Sequence, residues 1–343
     1  MRRRRWTLPA RRLPDRIVIP GARLPSLAPA PRSGLRQWLD RWLAPPEADS
    51  RRTTWPALML FLAPALAVYA ALTAYPVLRT FYNSFFAIAD IEHARFVGFA
   101  HFIELARDKT FWAAVRNTAI WSALAPLLDV ATGLLLALCL YAGVPFSRFL
   151  RVAWFTPVLL SYVVVGIMWV WIYNYDWGVI NAALRGMGLG SWARSWLGDP
   201  NYALGAVMIT HAWKWAGFNM VVCLAALHSL PSEVLEAAEL DNCGWYEKLV
   251  HVIVPMLWPT LLNLYILAFI GKMKVFDLVW IMTEGGPLWA TETVSTYVYK
   301  RAFNWNTFDL GYPSAIAVVW FVVVVAFVVA FNLLFRRRER LEY

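Results

Sequence analysis

Six long apolar segments dominate this sequence, near residues 56–78, 115–141, 152–174, 203–228, 257–281 and 311–335. A helix needs about 20 largely apolar residues to cross a bilayer, and each segment supplies them. Composition agrees, since 60% of the 343 residues are hydrophobic, only 16% are charged and 20 are tryptophan. A water-soluble domain of this size is rarely so apolar. The expected fold class is an all-α polytopic membrane protein with six transmembrane helices, whose short loops leave little room for a soluble domain.

The formal net charge of +10 resembles a nucleic-acid signal until its position is considered. Residues 1–55 hold thirteen arginines and four acidic residues, so nearly all the excess lies in one tail beside the first span. Membrane proteins keep such excess on the cytoplasmic side, and no nucleic-acid partner is expected. The tail, residues 1–53, is proline-rich and is expected to lack a fold of its own. The first apolar core of the chain begins too far from the arginine cluster for a cleavable signal peptide, and none is expected. Within it, Leu35, Trp38, Leu39, Trp42 and Leu43 recur at helical spacing. The segment 35–43 is therefore expected to be an amphipathic helix on the inner membrane surface or against a partner subunit. Cys139, Cys223 and Cys243 show no paired spacing, and neither a disulfide nor a metal site is expected.

With the tail inside, six spans return the C-terminus to the same side, where Arg336, Arg337, Arg338 and Arg340 follow the last span. Arg148 and Arg151 mark another inside link, and the links 79–114, 175–202 and 282–310 fall outside. Trp55, Tyr75, Trp171, Tyr173, Trp258 and Trp280 are expected as interfacial anchors.

The inside loop 229–256 is acidic, with Glu233, Glu236, Glu239, Asp241 and Glu247 against Lys248. Ser232 is placed to cap a helix running to about Asp241, with Glu233 in its first turn. Glu233, Glu236 and Glu239 then form a strip, and Ala237 and Ala238 offer a surface almost free of side chains. Asn242 is expected to end the helix in the left-handed conformation. A second short helix should follow, with Trp245, Leu249 and Val252 on one face before Pro255 and the next span.

This loop resembles the EAA motif of binding-protein-dependent ABC importer permeases, E-A-A-x3-G-x9-I-x-L-P, through Glu236, Ala237, Ala238, Asn242, Val252, Val254 and Pro255 in unbroken register. Asn242 stands where the family has glycine, and the two valines replace Ile and Leu. Other runs are similar to the carbohydrate-uptake class, of maltose or glycerol-phosphate type: Phe96-Val97-Gly98-Phe99, Phe111-Trp112, Asn117-Thr118, Arg151–Pro157, Trp177–Asn181, Phe276-Asp277 and Gly285-Gly286-Pro287. Their order along the chain carries the resemblance, which covers everything from about residue 56 onward.

The resemblance implies the type I importer permease fold with both termini cytoplasmic, residues 54–343 as the permease domain and 229–256 as a coupling loop. It implies that Glu236, Ala237, Ala238, Asp241, Asn242, Val252 and Pro255 engage a cytoplasmic ATPase, Glu236 by a charge-assisted contact. It also implies an external solute-binding protein, a second permease subunit, two ATPase subunits and residence in a bacterial inner membrane. The chain contains no G-x-x-x-x-G-K-[ST] phosphate loop, so it is expected to bind no cofactor, to be no enzyme, and to leave ATP and Mg to its partners.

Charges within spans mark functional candidates. Asp129, Lys214, Lys272, Lys274 and Asp277 qualify, with Lys274 and Asp277 spaced to pair. Lys214 and Lys272 would suit an anionic solute only if left unpaired. The fourth span reads as interrupted, with His211, Lys214, Gly217 and Asn219 among Trp213, Trp215 and Phe218. Aromatic walls around a polar break suit a sugar-like solute, so Trp213, Lys214, Trp215, Asn219, Lys272, Lys274 and Asp277 are the candidate pathway residues. An ion-driven secondary transporter would explain the charges but not the 231–255 loop. A membrane-embedded enzyme finds no catalytic motif among the five scattered histidines.

Overall fold

The computed structural model describes residues 55–88, 94–304 and 310–339. The basic tail, its expected helix at 35–43 and Arg340 lie outside the described residues. The chain divides into two units between Ala67 and Val68. Of the first, the described part is the start of helix α1 (Trp55–Tyr69), exposed from Leu58 onward.

In the second unit a π-turn at Ala70–Ala74 leads into α2 (Tyr75–Asn83), then a two-stranded antiparallel ribbon, β1 (Phe86–Ile88) and β2 (Ala94–Phe96), in register Phe86 to Phe96. Helices α3 (Ala100–Arg107), α4 (Lys109–Tyr141), α5 (Ser147–Leu159), α6 (Tyr162–Ile172), α7 (Val179–Gly186) and α8 (Ala203–His228) follow. Next come α9 (Ser232–Leu240), α10 (Trp245–Lys248), α11 (Val254–Lys272), α12 (Asp277–Thr283), α13 (Val294–Tyr299) and α14 (Gly311–Glu339).

Among the described residues four helical runs are long and apolar enough to cross a membrane: 58–83, 109–141, 245–272 and 311–331. Two bent pairs reach the same standard together, α5 with α6 at 106° and α8 with α9 at 74°. The protein is thus a mostly helical polytopic membrane protein with four to six spans. Two boundaries differ from expectation. The third segment is broken at Leu160 and Ser161, both extended, with the Ser161 hydroxyl accepting from the Val164 N–H at 3.3 Å. The fifth starts at Trp245, because α10 joins α11 through a π-turn at Leu249–Ile253, and stops at Lys272 instead of running to 281.

The long helices α4 and α8 form the centre. Gly133 permits this: a Cβ there would fall inside the Asn219 backbone and side chain, so only glycine lets the helices approach so closely. One core cluster joins α4, α8 and α11 around Met220, Cys223 and Leu257; a second joins α4, α6, α8 and α12 around Trp121, Val165 and Leu278. Tyr173, expected as an anchor, is only 5% exposed in that second core, and its hydroxyl donates to the Ala206 carbonyl at 3.0 Å. Tyr75, Trp171 and Trp258 are exposed.

The residues Asn117 and Thr118 staple a distant loop. Asn117 Nδ2 donates to the carbonyls of Trp289 (2.9 Å) and Glu292 (3.0 Å), and the Val294 N–H donates to the Thr118 hydroxyl. Glu292 is fully buried and its carboxylate accepts from Lys300 at 2.5 Å and Thr296 at 2.8 Å. Burial raises its pKa, and those two donors offset part of the rise. Asp108 caps α4 and takes hydroxyl bonds from Tyr297 (2.5 Å) and Tyr312 (2.6 Å). Burial alone would raise its pKa, but these hydroxyls and two backbone N–H groups outweigh it and hold the pKa below the usual carboxylate range.

Candidate functional site

A cavity of about 410 Å³ lies between α4, α6, α8, α11 and α12. Five of the seven expected pathway residues line it: Trp215, Asn219, Lys272, Lys274 and Asp277. Asp129, Tyr162, His211, Phe218 and Phe276 complete its polar and aromatic wall. A volume of this size suits a small-molecule ligand.

Trp213 and Lys214 do not line it. Trp213 faces the second core and meets Trp169 edge-on at 5.5 Å. Lys214 turns toward the break in the third segment, where its Nζ donates to the carbonyls of Pro157 (3.1 Å), Val158 (3.2 Å) and Leu160 (2.5 Å). A helix end leaves carbonyls without partners, which is costly in hydrocarbon. The ammonium serves as their cap. The fourth segment itself is uninterrupted, correcting the expected polar break: α8 runs unbroken through His211, Lys214, Gly217 and Asn219. Gly217 lies against α5, where a Cβ would collide with the Trp154 carbonyl.

The charged cluster is built across three helices. Asp129 on α4 is 1% exposed; Lys272 Nζ reaches its Oδ2 at 2.8 Å, and His211 Nδ1 its Oδ1 at 3.1 Å. An ionised carboxylate only accepts, so Nδ1 carries the proton. The His211 ring lies near-parallel to those of Trp215 (6.3 Å) and Tyr162 (6.2 Å), and the Trp215 N–H donates to the Tyr162 hydroxyl at 2.8 Å. The expected pairing of Lys274 with Asp277 is not formed among the described residues. Helix α11 ends at Lys272 and α12 begins at Asp277, so the two are not on one helix. Spacing alone could not find the Asp129–Lys272 pair, which joins residues far apart in sequence; His211 was visible only as a polar residue within an apolar run.

The 229–256 loop adopts part of the predicted shape. Helix α9 carries Glu233 in its first turn, and Asn242 is left-handed at φ 58°. Pro231, rather than Ser232, occupies the cap position, and no side chain caps the helix. Glu236, Ala237, Asp241 and Asn242 are exposed, while Ala238 is buried. The acidic strip is partly neutralised, since Glu239 pairs with Lys248 at 2.5 Å. Glu247 accepts from the Gly244 N–H at 3.0 Å, which starts α10. Trp245 does not share the face of Leu249; it is exposed, as are Leu240 and Tyr246. Val252 is half-buried and Pro255 exposed.

A helical membrane body holding a cavity walled by charged and aromatic side chains, with an exposed short helix on one loop, fits a transport subunit. The profile of the binding-protein-dependent transport system inner membrane component family matches residues 129–341, and the chain belongs to that family. It is an ABC importer permease, a membrane subunit distinct from the ATPase. It is 31% identical over 287 residues to the sulfoquinovosyl glycerol transport system permease protein SmoG of Agrobacterium fabrum, covering 82% of this chain and 91% of that protein. It is likewise 31% identical over 284 residues to the lactose transport system permease protein LacF of Rhizobium radiobacter, covering 82% and 94%. Its fold matches a chain of a bacterial alginate ABC transporter, solved with an alginate pentasaccharide-bound periplasmic protein, at TM-score 0.69 and 22% identity over 82% of this chain and 94% of that one.

Proposed function

We propose that this chain forms half of the translocation path of an ATP-driven importer for a sugar or related solute. An external binding protein delivers the solute, a second, different permease supplies the other half of the path, and partner ATPase subunits bind ATP and Mg. On this reading the chain crosses a bacterial plasma membrane six times, with α5–α6 counted as one span and α8 as another and both termini in the cytoplasm; residues 54–343 form the permease domain and 1–53 a cytoplasmic tail. The sugar class is supported by the aromatic and polar lining of the cavity and by the printed solutes of SmoG and LacF.

The observation that carries the coupling role is the exposed α9 helix, with Glu236, Ala237, Asp241 and Asn242 turned outward. Glu239 is tied to Lys248, while Glu233, Glu236 and Asp241 are exposed and have no ion-pair partner among the described residues; of these, Glu236 begins the EAA run and is the acid assigned a charge-assisted contact with a basic cleft. Ala238, Val252 and Pro255 complete the coupling set, Val252 and Pro255 lying where the loop enters α11, so that movement at the loop passes into that span. Glu236→Lys should weaken co-purification of the ATPase from mild detergent and lower its activity. Full recovery of an active ATPase with the reversed charge would refute the contact, and no ATPase with the wild type would favour an ion-driven carrier.

A further inference from the structure

The cavity's ions are arranged in a way that specifies the charge of what it holds, given the reading above that it lies on the solute path. We propose that it accepts an uncharged polyhydroxylated solute, a neutral glycoside or polyol, and discriminates against carboxylated, sulfonated and phosphorylated sugars.

Two lysines could have attracted an anion, and both are engaged. A lysine ammonium has three donors, and the three contacts of Lys214 to carbonyls of the broken segment use them all. Lys272 is committed to Asp129, which His211 also contacts. An anion could recruit Lys272 only by leaving Asp129 buried without its counter-ion, a strongly unfavourable exchange in a low-dielectric interior.

Lys274 and Asp277 remain. Both are exposed, and neither has an ion-pair partner among the described residues. Lys274 lies within the turn that links α11 to α12 and Asp277 opens α12 three residues later, both on the wall of one cavity, so an anion drawn to Lys274 meets the field of Asp277, and a cation drawn to Asp277 meets Lys274. Histidine counted as neutral, the lining charges Asp129, Lys272, Lys274 and Asp277 sum to zero. A hydroxyl group is indifferent to this opposition, because it donates to Asp277 and accepts from Lys274 with equal ease. Trp215, Phe218 and Phe276 supply faces on which the C–H side of a sugar ring can stack.

The test uses the chain purified with its co-purifying partners in nanodiscs, and saturation-transfer NMR with matched probes: glucosylglycerol and lactose against glucuronosylglycerol, lactobionate and glycerol 3-phosphate. Signals from the neutral probes, at least tenfold stronger than those of their acidic counterparts and lost in Trp215→Ala, are expected. Asp277→Asn, a near-isosteric change at an exposed position, should narrow that ratio by admitting the acids. Preferential binding of an acidic probe to the wild type would overturn the charge assignment while leaving the solute path intact. Preference for a zwitterion such as glycine betaine would overturn it too. Binding of neither neutral nor acidic probes, or binding indifferent to Trp215→Ala, would remove the cavity from the solute path altogether.

Discussion

The third and fourth apolar segments are neighbours in sequence and in space, yet they handle polarity in opposite ways. The stretch 152–174 is almost free of charge and it breaks, bending by 106° at Leu160 and Ser161. The stretch 203–228 carries two histidines, a lysine, two glycines and an asparagine, and it stays helical throughout. The difference teaches that a polar side chain within a span can mark a defect in the adjacent helix. An unbroken helix satisfies its own backbone and has polar side chains to lend; a broken one needs donors from outside. Lys214 lends its ammonium to the end of α5.

Three substitutions test that comparison. The largest effect is expected from Lys214→Met, which strands carbonyls of the broken segment away from water. Each buried group left without a partner costs about 1–3 kcal/mol, so a loss of roughly 3 kcal/mol or more should appear as a markedly lower Tm in detergent. An unchanged Tm would show that the break does not depend on the ammonium. Gly217→Val comes next. Its side chain must displace the Trp154 carbonyl of α5, and overpacking of this kind costs about 1–3 kcal/mol, read by the same melting experiment. Retention of the wild-type Tm would mean that α5 and α8 can separate freely. The smallest change is expected for Ser161→Ala, which removes the hydroxyl cap of α6. A lost N-cap costs about 1 kcal/mol, and this bond is long and exposed. A drop as large as that of Lys214→Met would place the origin of the break in α6 instead.

Much of the 229–256 loop was legible because its determinants are local. The helix ends at Leu240, one residue short of the expected Asp241, and Asn242 takes the left-handed turn that asparagine tolerates. The role of Ser232 was misjudged because a proline at 231 is already extended and occupies the cap position itself. The Trp245, Leu249 and Val252 face was only partly right, since a π-turn at Leu249–Ile253 shifts the phase between α10 and α11. For the cavity, residue types were readable and their directions were not. Trp213 and Trp215 are equally apolar and two positions apart, yet helical geometry sends one into a core and the other into the cavity wall.

By itself, the sequence determined the polytopic helical class, the family, and the shape of the loop that carries the EAA resemblance. These follow from apolar length, register and turn chemistry, all of which act over a few residues. Only the tertiary structure decided which lysine meets Asp129, which one caps a neighbouring helix, and which charges are left to face the cavity. Those outcomes depend on side chains brought together from distant parts of the chain. In a medium that cannot solvate them, their partners are set by which helices touch.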